Sequence, residues 1–347
     1  MSLALVTGAN GWLGSQLVKA LINGLPEVNI KAEPGRKIRC LILPNSSSSY
    51  ISMFNQIETY EGDIRDINAV KKFCHDANNA TLFHCAGVIH PNKGIKELYE
   101  VNVTGTENIL KVAEYTGVCR VIIVSSNSPI GINKNLDQVF NETSVYNPYM
   151  NYGRSKMLME KLVHFYQEKG KLETVILRAP WFYGIGQPKR QTLFFSMIKN
   201  GKVPIIGNGN NLRSMTYIDN LCQGLLLCEQ IKKANGQTYW SAHERPYTMN
   251  EIVDIIEELL EKEFNMAVAH KRIRLPNLAG EIATSLDWLL QFVGLYNQKI
   301  HVLSEMNKHI FCSIEKAKQE LGYNPKIALR EGMKRSIKWC LDNEHKI

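Results

Sequence analysis

Short runs of consecutive apolar residues alternate, through the first half of the chain, with segments whose apolar positions recur every three or four residues. The runs are Leu3–Val6, Ile38–Leu43, Gln56–Tyr60, Thr81–Cys85, Val121–Ser125 and Thr174–Leu177. Each is too short for a helix, and the group predicts buried parallel strands. Between them lie amphipathic stretches such as Leu13, Leu17 and Leu21, one face of a helix. This alternation predicts an α/β fold with a doubly wound parallel sheet. Pro26, Pro34 and Gly35 make the stretch before the second strand an extended loop. After Pro180 the rhythm changes. Strand-like pieces at Val203–Ile206, Met215–Ile218 and Gln237–Ser241 become isolated, and long helical patterns cover Met249–Lys262 and Leu278–Val293. Residues 1–180 are therefore expected to form the sheet domain, and 181–347 a smaller C-terminal α/β substrate-binding part interleaved with it.

Composition narrows the class. A chain of 347 residues, 44% of them hydrophobic, can bury a large core. Its net charge of +8 is spread among acids, as in Lys31–Arg39 and Glu257–Lys262. No basic arm for nucleic acid stands out, and the excess suits phosphorylated small molecules. Neither a signal-like start nor an apolar run of membrane-spanning length is present, so a soluble cytoplasmic protein is expected. The eight cysteines are scattered without ligand spacing, which reads as reduced core thiols and no metal site. Ser46–Ser49 is a short polar loop.

Two clusters carry chemistry. Gly8, Ala9, Asn10, Gly11, Trp12, Leu13 and Gly14 follow the first strand and open the first helix. Gly8 permits the turn, Gly11 lets a pyrophosphate approach the backbone, and Gly14 allows close helix–strand packing, the pattern of a dinucleotide cradle. Far downstream, Tyr152 and Lys156 stand at i and i+4 on one helix face. A hydride carrier combined with a phenolic acid/base implies redox at a carbon bearing oxygen.

With these residues, the segments Gly62–Asp66, Phe83–Gly87, Asn102–Thr106, Val124–Ser126, Arg178–Pro180, Tyr217–Asn220 and Leu321–Pro325 resemble, in order, the extended short-chain dehydrogenase/reductases. That superfamily includes nucleotide-sugar epimerases and reductases and 3β-hydroxysteroid dehydrogenases. The resemblance implies a Rossmann-type fold, NAD(P) as cofactor and Ser126, Tyr152 and Lys156 as the catalytic set. Ser126 would hold the substrate oxygen and Tyr152 exchange its proton. Lys156 would hold the nicotinamide ribose and lower the phenol pKa, with Ser125 a competing assignment for the hydroxyl. Asp63 and Ile64 are expected at the adenine, and Cys85, Ala86 and Gly87 where the cofactor passes the fourth strand. Asn102 supports the site, and Pro180 and Tyr183 lie against the nicotinamide.

The end of the second strand selects between cofactors. Pro44, Asn45 and Ser46 carry no carboxylate to accept from a ribose 2′-hydroxyl, which leans toward NADP(H), with Arg39 or Lys37 as helpers. Asn127 and Ser128 stand where dehydratases of the superfamily carry an Asp-Glu acid/base pair, so dehydration is disfavoured. Asn127, Trp181, Phe195 and Arg213 are the expected substrate contacts, Arg213 as a pyrophosphate clamp. The helical stripe of Leu278, Ile282, Leu286, Leu289, Leu290 and Val293 reads first as core or dimer packing, then as a lipid-site lid or a membrane-surface contact. A nucleotide-sugar substrate ranks first, a steroid or lipid-like one second. A non-catalytic NAD(P)-binding sensor or scaffold ranks third. A homodimer through 95–115 and 149–168 is the family's common arrangement.

Overall fold

The computed structural model describes residues 2–46, 54–345 and 347. In chain order the first half comprises β1 (Leu3–Thr7), α1 (Trp12–Asn23), β2 (Lys37–Ile42), β3 (Ile57–Glu61), α2 (Ile67–Phe73), β4 (Thr81–His84), α3 (Lys96–Tyr99), α4 (Thr106–Thr116), β5 (Arg120–Ser126), α5 (Met150–Glu168) and β6 (Glu173–Ala179). Between α3 and α4, Glu100–Gly105 forms a π-helical turn. The second half holds β7 (Trp181–Tyr183), α6 (Lys189–Lys199), β8 (Pro204–Ile206), β9 (Leu212–Arg213), β10 (Met215–Tyr217), α7 (Ile218–Gln230), β11 (Thr238–Trp240) and β12 (Tyr247–Thr248). It continues through α8 (Met249–Lys262), β13 (Ile273–Leu275), α9 (Asn277–Phe292), α10 (Gln298–Glu305), α11 (Glu315–Leu321) and α12 (Leu329–Asp342).

Seven strands form one parallel sheet in the order β3-β2-β1-β4-β5-β6-β11. Strand alternation sends successive side chains to opposite faces. Ala4 and Val6 enter the layer under α1 and α7, whereas Leu5 joins Leu82, Val121 and Ile123 in the layer under α2, α4 and α5. The order reverses between β1 and β4, and at such a switch point the carboxyl ends of the strands open a crevice. The glycine bend lies there.

The seventh strand, β11, comes from the second half and pairs with β6 from Thr238↔Ile176 to Trp240↔Arg178. Short ladders β7/β10, β9/β12 and β8/β13 build the remainder above the strand ends. The start of α8 is set by a reciprocal cap: Thr248 accepts from Glu251 N at 3.0 Å while Glu251 accepts from Thr248 N at 2.7 Å.

The expectation that the apolar stripe of α9 faces the core is reversed. Gly280, Ala283, Asp287 and Gln291 are buried, while Leu278, Ile282, Leu286, Trp288, Leu289 and Phe292 are exposed. Polar anchors set this orientation. The Asp287 carboxylate lies 2.7 Å from His301 Nδ1 and accepts from Gln291 Nε2 at 2.9 Å, and such pairs cannot turn outward without stranding a buried partner.

Candidate active site

The bend after β1 is built for close backbone approach. Gly8 has φ +64°, and a Cβ there would sit 2.9 Å from Ala86 Cα; a Cβ on Gly14 would sit 2.1 Å from Gly8 O. Any side chain at Gly14 would therefore force α1 away from the turn. Gly11 caps α1, with no side chain satisfying its first amides and no acid in the first turn. A helix start left this way presents N–H donors and a positive dipole end to an anion, so the residues present fit a dinucleotide pyrophosphate. Asn10 is partly exposed beside it and Leu13 is buried beneath. Trp12 turns sideways, donating from Nε1 to Ile185 O at 2.7 Å and packing on Phe182 at 4.7 Å between ring centroids.

Across the crevice, Ser126, Tyr152 and Lys156 come together, each under a tenth exposed. Lys156 Nζ donates to Val124 O at 3.0 Å and lies near Gly87, whose Cβ, if present, would be 3.6 Å from that nitrogen. Burial brings the Lys156 ammonium down to about 8, opposed by the charges of Glu160 and Cys85. Burial also pushes the Tyr152 phenol up to about 12, against a hydrogen bond with Ser126 that pulls it down. The expectation that Lys156 depresses the phenol does not hold in the free chain, because desolvation dominates. The two serines separate cleanly. Ser125 Oγ donates to Glu160 Oε1 at 2.5 Å, while Ser126 Oγ, 3.3 Å from Ser128 Oγ, is the hydroxyl that acts on the Tyr152 phenol.

Behind this set, a continuous chain of polar groups ties the glycine bend to α5. Thr7 Oγ1 receives Ala86 N at 3.2 Å and lies 2.8 Å from His84 Nδ1. His84 Nε2 lies 3.0 Å from Thr106 Oγ1, which donates to Asn102 O at 2.7 Å. Asn102 then bonds both backbone groups of Val88 at 2.9 Å and donates to Ser155 Oγ at 3.1 Å, and Ser155 Oγ donates to Tyr152 O at 2.8 Å. Burial, with the Lys156 charge, takes His84 down to about 3, so it is neutral. One turn along α5, buried Glu160 accepts two hydrogen bonds from Arg178, at 3.1 and 2.7 Å, and one from Tyr146 at 2.9 Å.

Two expected side chains, Tyr183 and Phe195, lie in the core. The Tyr183 phenol lies 2.9 Å from His243 Nε2 inside the core, so its ring belongs to the core and is not a cofactor contact. Phe195 is 2% exposed on the inward stripe of α6, a core residue and not a pocket wall. Trp181 is half-buried against Phe194, with Pro180 buried before it. Asp63 holds Arg65 through three hydrogen bonds of 2.6–3.0 Å, which keep its carboxyl below the ordinary range; Ile64 packs under Gly105. Asn45 adopts φ +60° and is exposed, and Ser46 Oγ donates to Leu43 O. Arg39 turns to the opposite side, bonded to Glu58, Phe73 O and His75 O. It is therefore unavailable to a cofactor phosphate, and Cys85 is a partly buried thiol pushed up to about 12 by burial.

Sequence reasoning missed the wall opposite Tyr152. Gln291 Oε1 accepts from Asn151 N and Nδ2, both at 3.0 Å, docking α9 on the start of α5. The Tyr296 hydroxyl lies 2.6 Å from His90 Nδ1. Tyr149 Oη lies 2.8 Å from Ser304 Oγ, and Arg213 Nη1 donates to Glu305 O at 3.3 Å. Arg213 is held below its usual range by burial, against the nearby charges of Glu305 and Tyr149. These contacts span from 90 to 305 in sequence, and no local pattern announces them.

A sequence model of the NAD-dependent epimerase/dehydratase family matches residues 4–239. The chain belongs to that family. It is thus an enzyme of the extended short-chain dehydrogenase/reductase superfamily. It is 48% identical over 342 residues to the uncharacterized protein y4nL of Sinorhizobium fredii, covering 98% of this chain and 96% of the relative. The decarboxylating sterol-4-alpha-carboxylate 3-dehydrogenase of Candida albicans is 26% identical, with 96% of each chain covered. Among solved structures, UDP-glucuronic acid 4-epimerase from Bacillus cereus in complex with NAD superposes with TM-score 0.75 at 20% identity, covering 99% of this chain and 100% of that one. At this identity the match speaks for the fold.

Proposed function

We propose that the chain is an NAD(P)-dependent oxidoreductase or epimerase acting at a secondary alcohol or ketone carbon of a nucleotide sugar, without dehydration. The observation that carries the reading is the meeting of Ser126, Tyr152 and Lys156 across the crevice from the glycine bend. The bound nicotinamide supplies or accepts the hydride. Ser126 orients the substrate oxygen toward the phenol. Tyr152 moves the proton to or from that oxygen, and burial keeps the phenol protonated in the free chain. Lys156 places a cation beside Gly87 and Val124, where a ribose hydroxyl would lie. Asn127 and Ser128 offer no carboxyl for expelling water.

Arg213 favours the nucleotide sugar. It is half-buried, with no carboxylate at ion-pair distance among the described residues, and its strand follows Asn208, Asn210 and Asn211, which line a cavity of about 290 Å³. A guanidinium so placed suits a diphosphate and the amides suit a base or ribose. A second reading, a steroid or lipid-like alcohol, is favoured by the sterol dehydrogenase relative and by the apolar outer face of α9. The absence of a carboxylate at 43–46 leaves a 2′-phosphate unopposed, and we propose NADP(H) on that ground. Tyr115 and Phe165, exposed on α4 and α5, support pairing of two copies there.

The test is binding of UDP and dTDP by thermal shift, with mass spectrometry of any dinucleotide retained through purification. Protection by either nucleotide, lost in Arg213→Ala, is expected; no protection removes the nucleotide-sugar reading. Tyr152→Phe should lower turnover by orders of magnitude with cofactor affinity nearly intact, and unchanged turnover removes Tyr152 from the reaction.

A further inference from the structure

We propose that the outer face of α9, continued through Val293 and Leu295, seats the protein on the surface of an anionic lipid bilayer. The proposal is independent of which substrate the site takes. The helix is inside out relative to an ordinary surface helix, which buries its apolar stripe. Its inward side carries Gly280, Ala283, Asp287 and Gln291, whereas Leu278, Ile282, Leu286, Trp288, Leu289, Phe292, Val293 and Leu295 are all between 43% and 73% exposed. Trp288 and Phe292 stack on one another in solvent, with centroids 5.3 Å apart at 18°. A contiguous apolar face of this kind marks an interaction surface.

The orientation is held from within. Gln291 grips Asn151, Asp287 grips His301, and a Cβ on Gly280 would come within 2.6 Å of Asn307. Rolling the helix to hide its leucines would break all three contacts, so the exposed face belongs to the folded state.

Charge identifies the occupant. The only acids of α9 are Glu281, paired with Lys308 at 2.5 Å, and buried Asp287. Exposed cations stand at both ends. Arg274 precedes the helix and Lys299 follows it, and Lys93 adjoins Gly94, whose loop bonds Gly294 through Ile95 N at 3.2 Å. None of the three has an ion pair among the described residues. Two copies pairing through this face about a two-fold axis would set cationic ends together in either direction. An anionic bilayer accepts the apolar side chains and both basic ends at once, and a tryptophan suits the headgroup boundary. Docking would hold the roof of the candidate site, whose inner side is Gln291, Asp287 and His301, at the lipid surface.

Co-sedimentation of the full chain with vesicles tests this. One set is phosphatidylcholine alone, the other equal parts phosphatidylcholine and phosphatidylglycerol. The expected result is partitioning about tenfold stronger onto the anionic vesicles, weakened by salt. The variant Ile282→Gln/Leu289→Gln/Phe292→Gln should lose binding to both sets. Arg274→Glu/Lys299→Glu keeps the apolar face and should lose only the anionic preference. A wild-type chain left in the supernatant overturns the proposal, as does a triple variant that binds like wild type. Light scattering that shows a dimer dissociated by the triple variant, with no vesicle binding, assigns the face to a second copy and also overturns it.

Discussion

The Asn102 amide donates to Ser155 Oγ at 3.1 Å while its carbonyl holds Val88 N at 2.9 Å. One buried side chain thereby fixes both the segment after β4 and the turn of α5 that carries Tyr152.

Replacing Asn102 by alanine leaves the Val88 backbone and the Ser155 hydroxyl without their partner. Loss of about 1–3 kcal/mol of stability is expected from the stranded groups, read by urea denaturation. Turnover should fall with it, and Asn102→Asp, which keeps the acceptor, should recover more than Asn102→Ala. Equal stability of wild type and Asn102→Ala would show that water replaces the amide.

The Glu160–Arg178 pair predicts an asymmetry. Glu160→Leu or Arg178→Met alone strands a buried charge and should cost about 3–5 kcal/mol, while the double variant should cost clearly less. Denaturation of all three, set as a double-mutant cycle, checks it; additive losses would contradict the pairing.

Stability should fall in mild acid. Burial takes His84 to about 3 and His243 to about 4, both below the unfolded value near 6.5. The unfolded chain therefore binds more protons, so this stability is full above pH 6.5 and is lost as pH drops toward 3, at up to about 1.4 kcal/mol per pH unit per histidine. Asp219, raised to about 6 by burial, opposes this with stability present below its unfolded value and lost as pH rises through 6. Melting temperatures at pH 7.5 and 5 should differ, and His84→Gln/His243→Gln should narrow the gap; an unchanged gap would place the titration elsewhere.

Trp12→Phe retains the ring contact with Phe182 and removes the hydrogen bond to Ile185. A loss of about 0.5–1.5 kcal/mol is expected for that bond, with weaker dinucleotide binding by titration calorimetry. Cofactor affinity equal to wild type would mean that the indole N–H serves packing alone.

Much of the sheet domain was legible because its signals are local. Apolar runs mark the strands, Gly8 and Gly14 can be no other residue without collision, and Tyr152 and Lys156 meet by helical spacing. The helix Met249–Lys262 was readable from its apolar periodicity, and the structure adds the Thr248–Glu251 cap at its start. Periodicity located α9 and did not say which stripe faces inward, because that depends on His301, Asn151 and Asn307, distant partners of its polar residues. Tyr183 and Phe195 illustrate the same limit. Their place in the motif suggested the crevice, yet His243 and the inward stripe of α6 decide where their rings lie.

The indole of Trp12 fastens the first turn of α1 to the strand-end loop at Ile185. A dinucleotide settling beneath that turn would press on the same hydrogen bond that holds the loop, and any gain it gave to substrate affinity the substrate would return to it in equal measure.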